Sequence, residues 1–232
     1  MSAQRSTTQR PTTQRPTAQR LTSRRLLQLV LLIGMLGLVG LLVAYILATP
    51  ERDAAAADVV REDSHVLNQA PDEKAVLVEF LDFECEVCRA YYPTVEQLRE
   101  QHGDELTVVM RYFPIPAHTN STNAAVAVEA AAAQGQLEPM YQRMYETQAE
   151  WGEAQDSRAD VFRGFAQELG LDMNAYDAAV ADPATTERVQ SDFDEGRALG
   201  VGGTPTFFLD GEKLELTSPE ALAQAVQGVL GQ

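Results

Sequence analysis

Residues 75–88 read AVLVEFLDFECEVC, a nearly unbroken apolar run that ends in the only two cysteines of the chain, Cys85 and Cys88. This stretch limits the possible folds more than any other. A run rich in Val, Leu and Phe suits a strand covered on both faces of a sheet. The residues that follow predict a helix from about Cys85 to His102, closed by Gly103 as a left-handed residue after the last turn. Pro93 falls inside that helix and predicts a kink rather than a break. LTVVMRYF, residues 106–113, is a second buried strand, so the three elements form a parallel βαβ unit.

Downstream, the punctuation marks helices. Asn120 to Thr122 offer caps for an Ala-rich helix that ends near Gly135, and Pro139 opens another running towards Trp151. Ser157 precedes a third that stops at Gly170. Asp172 and Asp182–Pro183 start two more, the last closed by Gly200. TPTFFLDGEKLEL then reads as two strands joined by Asp210–Gly211, a type I′ hairpin signal. Thr217 and Glu220 form a capping box, with Pro219 in the first turn, for a final helix ending near Leu230. The predicted α/β domain, 71–232, is therefore βαβ, a helical insertion at about 120–199, and ββα.

The compartment follows from the other end of the chain. Residues 1–25 repeat pentads such as TQRPT and have little to bury, which predicts a disordered tail. Residues 26–48 carry no charge. As a helix they would extend about 35 Å, enough for a hydrocarbon core of about 30 Å. The run is too long for the ~7–15-residue core of a cleaved signal, so it predicts a single transmembrane anchor. Six arginines precede it, and Glu51, Arg52 and Asp53 follow. Positive-inside logic puts the tail in the cytoplasm, the tail and helix against the lipid bilayer, and everything beyond Thr49 outside the cell membrane. Residues 49–70 read as a polar, Ala-rich linker. The whole chain carries −16; without the six N-terminal arginines the rest carries −22, which excludes nucleic acid as a partner and is read as a solubilising surface.

Outside the membrane a disulfide persists, which leaves three readings of the cysteine pair. A structural bridge across so short a loop is worth only about 2 kcal/mol, against ~4.7 kcal/mol for a 100-residue loop. A metal site needs further ligands, and none of the three histidines, His65, His102 and His118, stands at a ligand spacing from the pair. A redox dithiol has a mechanism, because the N-terminus of a helix stabilises a thiolate at Cys85. A CxxC that follows a strand and opens a helix is the context in which this chemistry occurs.

VEFLDFECEVC at 78–88, RYFPIPAH at 111–118 and GVGGTPTFFLDG at 200–211 resemble the DsbA-like, thioredoxin-fold disulfide oxidoreductases in their bacterial membrane-anchored form. The resemblance covers about 65–232. It implies a thioredoxin-like fold, with Cys85 as nucleophile, Cys88 as its partner and no cofactor. It also implies a cis-proline at Pro205, preceded by Thr204 whose backbone meets an extended substrate. Glu79, six residues before Cys85, matches a buried acid that exchanges a proton with Cys88; pairing with a base such as Arg111 is the competing reading. The partners implied are unfolded or folding secreted proteins and a membrane redox partner, either a quinone-linked reoxidase or a thiol reductant carrier. The chain departs from the family at Glu86 and Val87, where relatives often carry Pro and His. Glu86, with Asp82 and Glu84 as a rim, predicts a Cys85 pKa higher, and a disulfide less oxidising, than in a His-containing relative. An envelope reductase, an isomerase and a non-enzymatic binding or metal-holding module are the alternatives to a thiol oxidase.

Overall fold

The computed structural model describes residues 27, 28, 31, 33–35 and 59–231. The expected tail at 1–25, most of the apolar segment 26–48 and the linker as far as residue 58 lie outside the described residues. No helix among the described residues is long and apolar enough to cross a membrane. The chain divides into two compact units, Met1–Ala54 and Ala55–Gln232, and the second carries everything that follows.

Its elements run β1 (His65–Asn68), β2 (Ala75–Leu81), α1 (Glu86–His102), β3 (Leu106–Tyr112), α2 (Ser121–Ala132), α3 (Leu137–Trp151), α4 (Ala159–Glu168), α5 (Met173–Ala181), α6 (Pro183–Ala198), β4 (Thr206–Leu209), β5 (Glu212–Lys213) and α7 (Pro219–Leu230). The sheet order is β1-β3-β2-β4-β5. The β2–β3 pair is parallel, in register from Ala75 opposite Leu106 to Leu81 opposite Tyr112, and the other pairs are antiparallel. The predicted βαβ, helical insertion and ββα are therefore present, with the expected parallel β2–β3 pair inside a mixed sheet.

The sheet begins earlier than the sequence suggests. His65–Asn68, read as linker, forms the edge strand β1. Only Leu67 of its four residues is buried, so no apolar alternation betrays it. Side chains hold it in place: Asn68 Nδ2 donates to the carbonyls of Gly103 at 3.0 Å and Leu106 at 2.6 Å, and His65 Nε2 meets Glu129 Oε2 at 2.5 Å. Gly103 itself is right-handed, with φ −58°. It is required because an added Cβ would lie 2.6 Å from the Arg99 carbonyl oxygen. The final cap is also displaced by one residue, since Ser218 rather than Thr217 accepts from the Ala221 N–H. Asp172 and Asp182 cap α5 and α6 through their side chains, and Asp210 and Gly211 take the positive φ values of the hairpin.

Alternation along β2 and β3 sends side chains to two cores. Leu77, Leu81, Met110 and Tyr112 belong to the larger, shared with α1, α7 and the helical insertion. Val78, Phe80, Val109 and Phe113 belong to the smaller, covered by Phe193 and Leu199. Here α6 approaches closely: a Cβ on Gly196 would sit 2.8 Å from Phe113 Cδ2 and 3.0 Å from Phe80 Cδ1. The same face buries Arg111 completely. Its Nε and Nη2 donate to Asp192 Oδ1 at 2.9 and 2.7 Å, and its Nη2 meets Glu195 Oε2 at 2.5 Å. The guanidinium lies 5.0 Å from the Phe80 ring centroid. Asp192, also buried, accepts from the Tyr112 N–H at 3.1 Å and pairs with Arg188 at 2.9 Å. Tyr112, Phe113, Tyr141 and Trp151 are core residues.

Candidate active site

β2 ends at Leu81, and Asp82–Glu84 turn the chain into α1. Cys85 is the N-cap residue of that helix, in extended backbone conformation, so its sulfur sits beside the first-turn N–H groups that have no partner within the helix. Cys88, one turn on, is fully buried, and both cysteines are free thiols. From the far end of the domain comes the Thr204–Pro205 peptide, which is cis. The Cys85 thiol reaches the Thr204 carbonyl oxygen at 3.4 Å. The fold thus brings together four of the five predicted site residues beyond the C-terminal end of the central strand β2 and the start of β4, with the fifth, Glu79, buried within β2.

Three residues with little in the linear chain to mark their roles complete the site. Gln148 of α3, also buried, donates from Nε2 to the carbonyls of Phe83 at 2.7 Å and Cys85 at 2.9 Å. It clamps the turn that presents the nucleophile. Asp82 accepts from the N–H groups of Glu84 and Ile115, both at 2.9 Å, and meets His118 Nδ1 at 2.7 Å. Glu84 accepts from the Asn120 N–H at 2.6 Å. Asp82 and Glu84 are 2% and 3% exposed, so they are internal acceptors that tie the turn to the β3–α2 loop, not the solvated rim expected of them.

The acidic neighbours do not prevent a depressed thiol pKa at Cys85. Its pKa is lowered to about 6. The hydrogen bond from the Cys88 thiol is the largest cause; burial opposes it, and the Thr204 side chain and the N–H groups of Cys88 and Val87 reinforce it. Donors aimed at the sulfur outweigh the acidic neighbourhood because hydrogen bonds act at contact distance, whereas the exposed Glu86 acts through solvent. Cys88 moves the other way, pushed well up by burial, by its bond to Cys85 and by the charges of Glu79 and Cys85. Glu79 is raised to about 8 by burial, then by the charges of Cys85 and Glu96. Arg111 does not neutralise it. Glu79 pairs in register with Met110, while Arg111 pairs with Phe80 and projects to the opposite face.

A groove of about 370 Å³ lies next to the pair, lined by Val87 and Tyr91 of α1, by Gly202 to Thr206 and by Leu214 and Leu216. Among the described residues no cluster of three or more His, Cys, Asp or Glu side chains is placed to hold a metal ion. His65 and His118 are each paired to a carboxylate.

The family model described as Thioredoxin matches residues 68–228. The fold is shared with a thioredoxin-like oxidoreductase from Silicibacter pomeroyi DSS-3, at a TM-score of 0.63 and 24% identity over 76% of this chain and 97% of that one. It is shared too with alpha-DsbA1 of Wolbachia pipientis, at a TM-score of 0.63 and 15% identity over 74% of this chain and 93% of that one. A curated relative, "Na(+)/H(+) antiporter NhaA 1" of Mycobacterium sp. (strain KMS), is 34% identical over 169 residues, 71% of this chain and 24% of that protein. The chain thus spans about a quarter of the length of the curated relatives it matches. Since the match to the Thioredoxin model takes in Glu79, both cysteines and the Thr204–Pro205 loop, this chain belongs to the thioredoxin family, with the fold of the DsbA-like thiol–disulfide oxidoreductases.

Proposed function

We propose that the protein is a membrane-anchored, extracytoplasmic thiol–disulfide oxidoreductase that works chiefly as an oxidase of secreted or envelope proteins. The observation that carries this reading is the asymmetry of the pair, with a stabilised thiolate at Cys85 and a buried, reluctant thiol at Cys88. In the oxidising direction a client thiolate attacks Cys85 of the disulfide and expels Cys88. A second client thiolate then attacks its own sulfur in the mixed disulfide and expels Cys85. Two electrons pass to the pair and one client disulfide forms. A low pKa helps Cys85 most as a leaving group. As an attacking group it gains thiolate fraction but loses nucleophilicity with a Brønsted slope of about 0.4–0.5, so the two effects largely offset each other.

Glu79 supplies the proton that Cys88 needs as it departs. Burial, the largest cause of its raised pKa, persists in the disulfide form and favours the neutral carboxylic acid. Expelling Cys88 as a bare buried thiolate is costly, and a positioned general acid is worth on the order of 10²–10⁴ in rate. Glu79→Gln is expected to slow the reaction of the oxidised protein with a client thiol by about a hundredfold at pH 7. After correction for client ionisation, the wild-type rate should fall as pH rises and Glu79 ionises, at a pH below about 8 because the disulfide form lacks the Cys85 charge that helps raise it; the variant should lack that fall. Stopped-flow fluorescence would read both, and an unaltered pH profile would remove Glu79 from the mechanism.

Direction is tested by the reduction potential of the Cys85–Cys88 pair against glutathione. A thiolate near 6 lies between thioredoxin, about 7, and DsbA, about 3.5. The expected potential therefore lies between about −270 and −120 mV. A value at or below that of thioredoxin would reassign the protein as an envelope reductase drawing electrons from a thiol carrier.

The anchor is supported by the charge-free run at 26–48 and by relatives named as Na(+)/H(+) antiporters, proteins that act across a membrane. Regeneration by a quinone-linked membrane partner follows from the oxidase reading. The pelleting of the full chain with membranes, and its release when 26–48 are deleted, would test the anchor.

A further inference from the structure

The dipeptide between the cysteines, Glu86–Val87, supplies no cation to the nucleophile, yet a histidine arrives from elsewhere in the chain. His118 follows β3 and is brought back to the start of α1 by Asp82, whose Oδ2 meets its Nδ1 at 2.7 Å. The carboxylate is itself fixed from two sides, by the N–H of Glu84 and the N–H of Ile115. Its backbone carbonyl accepts from the N–H of Cys85 at 3.2 Å. One buried residue thus ties the imidazole to the backbone of the nucleophile. The ring lines a cavity of about 210 Å³ together with Glu84, Glu86, Thr119 and Glu153, and its side chain is 28% exposed.

We propose that His118 is a positioning residue for the redox step, an imidazolium held by Asp82 that favours the Cys85 thiolate and couples the redox poise of the pair to pH. The inference rests on the reading of Cys85 as the titrating thiol. Charged and titratable groups face the imidazole from several elements: Asp82 at the end of β2, Glu84 and Cys85 in the turn, Glu86 of α1 and Glu153 after α3, with Arg89 beyond Glu86. Except for Arg89, every one of these carries negative charge when ionised. Burial alone would lower the imidazole pKa, but the hydrogen bond to Asp82 and the charges of Asp82, Cys85 and Glu84 raise it above its ordinary value. Forming the disulfide removes the Cys85 charge from this set. The imidazolium is therefore favoured in the reduced protein, and by reciprocity the thiolate is favoured when the imidazole is protonated. As pH rises through the titration of His118, that support is withdrawn and the reduced state loses stability relative to the disulfide. The protein would become a weaker oxidant in alkaline surroundings, beyond the ordinary proton dependence of the couple.

Two measurements on the full chain in detergent test this. Thiolate absorbance near 240 nm follows Cys85, because the only other cysteine titrates well above it. His118→Asn keeps a neutral donor for Asp82 but removes the cation, and it is expected to move the Cys85 titration up by about half a unit to one unit. The Cys88 bond remains the larger influence on that thiolate, so a greater shift is not expected. A full unit is a tenfold change, which lowers the potential of the two-electron couple by about 30 mV. The second measurement needs no substitution at His118. Proton NMR titration of the three histidines, with the resonances assigned through His65→Gln and His102→Gln, should give a higher His118 pKa in the reduced than in the oxidised protein, by the same amount. An unmoved Cys85 titration in His118→Asn, or one His118 pKa for both redox states, would overturn the proposal. Neither measurement involves a client, so a chain that shows the coupling yet traps no client keeps this inference and loses the oxidase reading.

Discussion

A Cys88→Ser chain will collect covalent complexes with envelope proteins, and a Cys85→Ser chain will collect none. The expectation follows from position. Cys85 caps α1 beside Thr204 and the groove, with a pKa of about 6, so at pH 7 about nine-tenths of it is thiolate, against a few per cent for an ordinary cysteine near 8.5. Cys88 is fully buried and its thiol is held well above its ordinary range. With serine at 88, a mixed disulfide at Cys85 has no internal thiol to resolve it. Its lifetime then depends on external thiols alone, and oxidation of a reduced client should fall by at least a thousandfold, because the chain has no disulfide to give. Acid quenching, alkylation and non-reducing electrophoresis of cell envelopes would show the complexes. The same bands in both variants, or in neither, would return the domain to a binding role.

The second large effect is on stability. Arg111→Met is expected to destabilise the domain by up to about 3–5 kcal/mol, the cost of removing one partner from a buried ion pair. Methionine keeps much of the packing over Phe80 but strips the buried Asp192 of two charge-assisted hydrogen bonds. Arg188 at 2.9 Å remains to Asp192 and limits the damage. Typical domains hold only about 5–15 kcal/mol in reserve, so the variant should unfold at much lower denaturant concentration while keeping its far-UV signal in water. A shift of less than about 1 kcal/mol would mean that α6 is held by the Gly196 contact with Phe80 and Phe113 rather than by charge.

Most of the framework was legible in the sequence because local chemistry specified it. Asp172 and Asp182 announce their caps by side chains that act within three residues, and Asp210–Gly211 its turn by residue types that tolerate positive φ. The apolar runs at 75–81 and 106–112 could only be buried strands. What escaped was settled at long range. β1 earns its place through Asn68 and His65, whose partners lie more than 30 residues away. The roles of Asp82 and His118 depend on a contact across 36 residues, and Gln148 reaches the Cys85 carbonyl across 63. A carboxylate beside a cysteine in sequence suggests repulsion. The same carboxylate turned inward on backbone N–H groups shapes the turn instead, and only the folded chain separates the two cases. The helix N-terminus favoured a low Cys85 pKa from the start, whereas the acidic residues argued against it. Contact donors decided between them.

The bond at the centre of this chemistry is peripheral to the architecture around it. It closes a loop worth only about 2 kcal/mol, in a chain with no other cysteine to pair wrongly. Two apolar cores and a buried ion network carry the fold instead. A newly made domain can therefore reach its native form before it meets any oxidant, and its two cysteines offer no alternative pairing with each other. Under the proposed function, a catalyst of other proteins' disulfides would need no such help in its own maturation.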